Sequence, residues 1–471
     1  MKKTLTALIL VAVGILTACT PKPKEDRHGN YVIKDNMIVF DEPQRQPGQQ
    51  SVLQFTVDPI ENVRIGFIGL GMRGYDAVDR ITYIDGVTVT ALCDIVPERV
   101  ESVQTDILEA RGLPRAADYS GSTESWKGLC ERDDVDLVYI CTDWVNHVPM
   151  AVYAMQHGKH VAVEVPAATS IEECWQLVDV AEQTQRHCMM LENCCYDFFE
   201  LTALNMAQQG MFGELIHGEG AYIHNLEPFW HEYYDNWRLK FNQNHAGDVY
   251  PTHGLGPLCQ AFNIHRGDRM KTLVSMTTPS YNGKKIAKEM MDTEEFANGD
   301  MTTTMISTEQ GKTLLIEHNV YTYRPYNRLY QLTGTDGFAN KYPIEGFTLL
   351  NDKLPEGFLP EGTQLNPHAF VPAEVRDKIL KEYLHPIAVE IEEKAKEVGG
   401  HGGMDFVMDY RLIYCLHNGL PLDQDVYDAA EWSCLGELTA ASIANGGMPV
   451  AMPDFTRGDW NKVQGYRHAV K

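Results

Sequence analysis

The chain has 471 residues, 44% of them hydrophobic, which is enough for two or three domains with large cores. A formal charge of −25 argues against nucleic acid or anionic lipid as partners. No CxxC, HxH or HExxH spacing occurs, so no metal site is expected. The eleven cysteines sit in apolar stretches or side by side, as free thiols do.

Lys2-Lys3 followed by the apolar run from Leu5 to Leu16 has the form of a secretory signal, too short to span a membrane. It ends in Leu16-Thr17-Ala18-Cys19, which resembles a bacterial lipobox. Residues 1–19 are therefore expected to be a lipoprotein signal peptide with Cys19 as the lipidation site. The mature chain is expected to be exported and lipid-anchored to a bacterial cell membrane, on the periplasmic side or the cell surface. Residues 20–61 are rich in Pro, Gln, Lys and Asp, and predict a spacer with some order around Tyr31 to Phe40.

Residues 62–192 alternate strand and helix patterns, the mark of a doubly wound parallel sheet. The first strand pattern, Val63 to Ile68, runs into Gly69-Leu70-Gly71-Met72-Arg73-Gly74, and an amphipathic stretch follows. About 20 residues further on, a second apolar run ends in Asp94. In a dinucleotide-binding turn Gly69 makes the bend, Gly71 lets the backbone approach a diphosphate, and Gly74 allows close helix–strand packing. Free N–H groups at the helix start attract the phosphates. Asp94 is placed to accept hydrogen bonds from the ribose hydroxyls and to repel a 2′-phosphate, which favours NAD over NADP.

Ligands in such folds bind beyond the carboxyl ends of the strands. Three loops there are candidates to line the nicotinamide half: Thr142 to His147, Glu164-Val165-Pro166, and Glu192-Asn193-Cys194-Cys195-Tyr196. From residue 193 to 471 the texture changes. A helix pattern over 198–209 precedes long β patterns at 214–224, 272–278, 302–308, 313–319 and 329–334. A charged helix is predicted over 386–398 and another helix over 425–444. The expected fold class is α/β: an N-terminal Rossmann domain and a C-terminal α+β domain with a large, mostly antiparallel open sheet.

The order of glycine turn, acid-ended strand, Thr-x-x-x-x-His loop, Glu-x-Pro and open-sheet domain resembles the Gfo/Idh/MocA oxidoreductase family, over nearly all of 62–471. In that family a lysine usually follows the glutamate, whereas this chain has Val165. That departure, with the segments at 192–196, Trp237-Arg238, 250–254, Arg324-Pro325-Tyr326-Asn327 and His401-Gly402-Gly403-Met404-Asp405, resembles the glycoside hydrolase family 109 branch, whose characterised activity is α-N-acetylgalactosaminidase. The resemblance implies NAD contacts from Met72, Arg73, Asp94, Trp144, Val145, Asn146, His147, Glu164, Val165 and Asn193. It implies sugar contacts from Tyr222, Arg238, Tyr250, Pro251, Thr252, His253 and Tyr326, with His253 and Tyr196 catalytic. His401 and Asp405 lie in a glycine-rich loop that either reaches the site or begins a helix. The family's open sheet often forms dimers, so a homo-oligomer is expected.

Export sharpens the reaction. Outside the cytoplasm no pool of enzymes recycles NADH, so the cofactor is expected to be retained and the reaction to be redox-neutral. Oxidation of a sugar at C3 acidifies the C2 proton, C1–C2 elimination expels the aglycone, water adds, and C3 is reduced again. NAD-dependent glycosidases of this kind stand outside the two-carboxylate rule. His253 is the candidate base for the C3 hydroxyl and Tyr196 for the C2 proton. The alternatives are a sugar dehydrogenase or epimerase, and a non-catalytic glycan-binding lipoprotein.

Overall fold

The computed structural model describes residues 26–359 and 361–471. Cys19 and the signal-like segment lie outside the described residues.

Six parallel strands form the first sheet, in the order Ala117–Ser120, Val87–Asp94, Val63–Ile68, Leu137–Ile140, His160–Val163, Cys188–Met190. The central strands are apolar and buried on both faces, as helix-covered parallel strands must be. Chain order reverses between Val63–Ile68 and Leu137–Ile140, which opens a crevice at their carboxyl ends. The glycine turn and the Thr142–His147 loop stand on its two sides.

The second sheet has eleven strands among the described residues. Its centre runs Met270–Thr277, Thr302–Thr308, Thr313–Asn319, Leu215–Ile223, Tyr330–Gly334. Most pairings are antiparallel; Leu215–Ile223 with Thr313–Asn319 is parallel. Alternation along Met270–Thr277 buries Met270, Leu273 and Ser275, and exposes Lys271, Val274 and Met276. One face of the sheet therefore packs on helices and the other meets solvent. The outermost strands, Asp26–His28, Tyr31–Lys34 and Met37–Phe40, come from the segment expected to be a spacer. Ile38 and Phe40 are buried there, and Val52 is sealed by the Tyr427 hydroxyl, which accepts from its N–H at 3.0 Å. From residue 26 onward this segment is part of the body, because its alternating apolar residues complete a sheet edge.

Two helix expectations change. The pattern over 425–444 forms two helices, Val426–Ser433 and Leu435–Ala444, the first opened by a capping box between Asp425 and Asp428. The pattern over 386–398 also divides, into Pro386–Val389 and Glu392–Val398. Helix Met404–Asn418 returns to the first domain, where Arg80 reaches Asp409 at 2.9 Å and the Tyr139 hydroxyl donates to Asp409 at 2.8 Å. The ten cysteines among the described residues are free thiols. No described helix is long and apolar enough to cross a membrane.

Candidate active site

The cofactor end is built from contiguous sequence. Gly69 has φ +88°, and a Cβ there would meet the Cys141 carbonyl oxygen at 2.7 Å. A Cβ on Gly74 would stand 1.8 Å from the Gly69 oxygen. Beside Gly71 nothing but the Arg99 side chain comes within 4 Å, so the backbone is open to a diphosphate. The helix Met72–Ile81 begins without a side-chain cap, which leaves its first N–H groups for phosphate oxygens. Asp94 is fixed by N–H donors from Leu70 at 2.7 Å and Val96 at 2.8 Å, one to each carboxylate oxygen. Arg99 Nη1 also approaches Oδ1, at 3.5 Å, while Oδ2 keeps a lone pair for a ribose hydroxyl. The donor set, the open glycine and the acid all fit NAD.

Across the crevice, Trp144, Val145, Asn146 and His147 form the first turn of helix Trp144–Gln156. Val145 is exposed and Trp144 buried. The His147 ring is enclosed, with Nδ1 2.8 Å from the Pro166 carbonyl and Nε2 3.1 Å from the Thr142 carbonyl. Its side chain ties two cofactor-facing loops together. Burial lowers its pKa. Val165 is buried as well. Glu164 is held by Arg73 at 2.8 Å, and Arg73 also reaches Asp405 at 3.1 Å. Asp405 accepts in addition from the Asn193 amide at 2.6 Å and meets His401 Nδ1 at 2.9 Å. Burial pushes the Asp405 carboxyl up, but Arg73 and His401 outweigh it and hold the group well below the usual range. His401 has φ +48°, an uncommon conformation for histidine, among glycines that leave its ring partly exposed. The glycine-rich loop therefore reaches the site.

The sugar end is assembled from distant segments. Helix Thr252–Ala261 lies on strand Leu215–Ile223 so closely that a Cβ on Gly220 would be 2.1 Å from the Gly254 oxygen. That approach places His253 against Tyr222 and Tyr250, with ring centroids 5.1 and 4.9 Å away. Tyr250 stacks on Trp144 at 5.6 Å, so the box abuts the cofactor loop. Arg238 is buried, with its guanidinium 4.6 Å from the Tyr250 ring centre and 5.1 Å from that of Trp144, and it donates to the Tyr233 hydroxyl at 2.7 Å. Its Nε has no protein partner, a donor left for a ligand. Outward from Tyr222, rings continue through His224 to the more exposed Tyr326 and Phe229. Pro251 and Thr252 begin the helix that carries His253.

His253 Nδ1 lies 2.7 Å from Glu192 Oε1. Burial pushes the histidine down to about 4, against the opposing pull of Glu192. Burial alone would raise the Glu192 carboxyl, but the His253 ring and the Cys194 N–H hold it below the usual range. The stable arrangement near neutrality is a carboxylate accepting Nδ1–H from a neutral imidazole, which leaves Nε2 as a base. Glu192 is thus a site residue that the sequence reading kept only as part of a loop; an acid directly after a strand end was the available signal. Arg328, buried behind Tyr222 and Tyr326 and donating to Cys194 Sγ at 3.1 Å, was also missed, and no motif marks it. Glu192, Cys194 and His253 bring ligand atoms within 4.8 Å of one another, which spacing rules did not anticipate. Arg328 beside the sulfur opposes a dication there.

Tyr196 is not brought into this box. Its side chain is fully buried, the ring facing His468 at 6.4 Å and the hydroxyl donating to Asp423 at 3.3 Å. Burial, then Asp423, push its pKa well above the ordinary value. As placed, Tyr196 is a core residue behind Glu192-Asn193-Cys194, and the expectation that it acts as a base is corrected accordingly.

Fold and site together define an NAD-binding Rossmann oxidoreductase architecture with a box of aromatic rings beside the cofactor loops. Residues 63–192 match the model of the oxidoreductase family with an NAD-binding Rossmann fold. The fold is also that of the WlbA dehydrogenase from Bordetella pertussis in complex with NADH and UDP-GlcNAcA, at TM-score 0.60 and 15% identity over 84% of this chain and 99% of that one. A levoglucosan dehydrogenase in complex with NADH aligns at TM-score 0.58 and 14% identity over 83% and 100%. Residues 196–462, more than half the chain, match the C-terminal domain model of glycosyl hydrolase 109. Relatives named glycosyl hydrolase family 109 protein are 57% identical in Bacteroides thetaiotaomicron, over 98% of both chains, and 59% identical in Porphyromonas gingivalis, over 92% of this chain and 93% of the relative. The chain belongs to glycosyl hydrolase family 109, and NAD is its cofactor.

Proposed function

We infer that this glycosidase removes terminal N-acetylgalactosamine, or a related hexosamine, by oxidation at C3, elimination across C1–C2, addition of water and re-reduction. The observation that carries the reading is the Glu192–His253 pair: a neutral imidazole, oriented by a buried carboxylate, in an aromatic box against Trp144. The carboxylates Glu164 and Glu192 are engaged by Arg73 and His253. Neither stands ready as the acid or nucleophile of an ordinary glycosidase.

Bound NAD supplies a reversible hydride acceptor, which makes C3 ketonic and the C2 proton acidic. His253 Nε2 takes the C3 hydroxyl proton, and the Glu192 carboxylate stabilises the imidazolium that forms. Arg238 Nε and the Tyr222 hydroxyl orient the ring and its acetamido group. The partly exposed His401, paired with Asp405, exchanges protons with C2 and the leaving oxygen. The exposed rings of Tyr326 and Phe229 receive the aglycone. Lipidation at Cys19 anchors the exported chain to a bacterial membrane, and the solvent-facing side of the large sheet, where Val274 and Met305 pair across strands, joins two copies.

A panel of chromogenic hexosaminides, assayed without added NAD in deuterated water, tests the reading. Hydrolysis of the α-N-acetylgalactosaminide with deuterium at C2 of the product is expected. Hydrolysis with no deuterium at C2 excludes the elimination route. Release of one NADH per product returns the chain to the dehydrogenases.

A further inference from the structure

Arg99 sits in helix Pro97–Ser102, just past the acid that receives the ribose. Its Nη1 is 3.5 Å from Asp94 Oδ1 and 3.6 Å from where a Cβ on Gly71 would lie. The guanidinium therefore hangs directly over the turn that takes the diphosphate. It is covered in turn from the other half of the molecule. The Tyr234 ring centre lies 5.3 Å from the Arg99 guanidinium carbon. Tyr234 belongs to the connection between strand Leu215–Ile223 and helix Trp237–Asn244, and three residues on, Trp237 meets the Trp144 ring edge-on at 5.2 Å.

One short segment thus touches both ends of the cofactor crevice, Arg99 at the diphosphate and Trp144 at the nicotinamide loop. Its shape is fixed. Asp235 and Asn236 have φ +50° and +53°, the Asn236 N–H donates to the Tyr233 carbonyl at 2.9 Å, and Tyr233 is tied to Arg238. Tyr234 itself is half exposed, so it forms the outer layer of this cover.

We propose that residues 233–237 are a strap that holds NAD in place, with Arg99 neutralising the diphosphate and Tyr234 capping Arg99. The strap rests on the reading of NAD as a retained group and supplies its physical means: release requires Tyr234 to leave Arg99 and Trp237 to leave Trp144. A cation on a tyrosine face contributes about 0.5–2 kcal/mol, depending on desolvation. Losing it should speed release by more than twofold and up to about thirtyfold.

The test is the exchange of bound NAD for isotope-labelled NAD in the holoenzyme, read by mass spectrometry of the bound nucleotide. Tyr234→Ala and Arg99→Ala are each expected to exchange more than twofold faster than the native chain. The double variant is expected to be no faster than the faster single one, because both remove one contact. Tyr234→Phe keeps the ring and should exchange at the native rate, which guards against a folding artefact. Exchange within twofold of native in both alanine variants overturns the strap. So does a native chain that exchanges NAD freely, and neither result depends on whether hexosaminides are hydrolysed.

Discussion

The two ends of the site are built in opposite ways. At the cofactor end, Gly69, Gly71, Gly74 and Asp94 come from a single strand–turn–helix–strand unit, and each loop that faces NAD directly follows its own strand. At the sugar end, Tyr222, Arg238, His253, Tyr326 and Glu192 come from separate elements of both domains, held by one close helix–strand approach at Gly220 and Gly254. A local unit tolerates changes elsewhere in the chain. A convergent one depends on packing at every member, so the same kind of substitution should act differently at the two ends.

The sharpest contrast comes from the base. His253→Ala should lower kcat/KM by about 10²- to 10⁴-fold, the usual contribution of a positioned general base, while bound NAD stays at the native level. Loss of NAD in the same variant would mean that the two ends are not separate. Glu192→Gln is next, with an expected loss on the order of 10²-fold or more in kcat. An amide that donates to His253 Nδ1 turns the imidazole to the wrong tautomer. Gly254→Ala tests the close approach itself. Its Cβ would stand 2.7 Å from the Ala221 nitrogen, so the helix must shift, at a cost of about 1–3 kcal/mol in stability with a raised KM. An unchanged melting temperature and KM would show that the approach has slack.

Acid should weaken the fold in a defined window. Burial lowers His253 to about 4 and His318 and His468 to about 3, while the unfolded chain protonates near the ordinary histidine value of about 6.5. The unfolded state then binds more protons, so stability is full above about pH 6.5 and falls as pH drops toward about 4. Urea midpoints at pH 7 and pH 5 should differ in that direction; equal midpoints would contradict neutral buried rings. The smallest effect is expected at Tyr196. With its hydroxyl on Asp423, Tyr196→Phe should cost about 1 kcal/mol of stability and change kcat less than threefold. A loss of a hundredfold would return Tyr196 to the chemistry.

The cofactor end was legible because its physics is local. A buried strand, a bend that admits no side chain at Gly69 or Gly74, and an acid at the next strand end leave a contiguous trace. The sugar end was legible only in part. Tyr222, Arg238, Tyr250, His253 and Tyr326 all came from resemblance, not from a pattern in the residues. Glu192 and Arg328 left no periodic signal, since a buried charge is defined by what surrounds it. Tyr196 shows the reverse error: its place in a distinctive segment marked it, but the short 3₁₀ turn Asn193–Tyr196 carries its ring into the core.

The sequence by itself determined the fold class, the dinucleotide turn with Asp94, the absence of a lysine at position 165 and the family. The fold class and the turn rest on backbone geometry, periodicity or residue type within short windows; the meaning of Val165 and the family rest on resemblance to known sequences. The tertiary structure alone decided that Glu192 orients His253, that Arg73, Asp405 and His401 join the two domains at the site, that residues 26–40 complete a sheet, and that Tyr234 lies over Arg99. Each of these is a contact between segments far apart in the chain, and such contacts exist only once both sheets have packed.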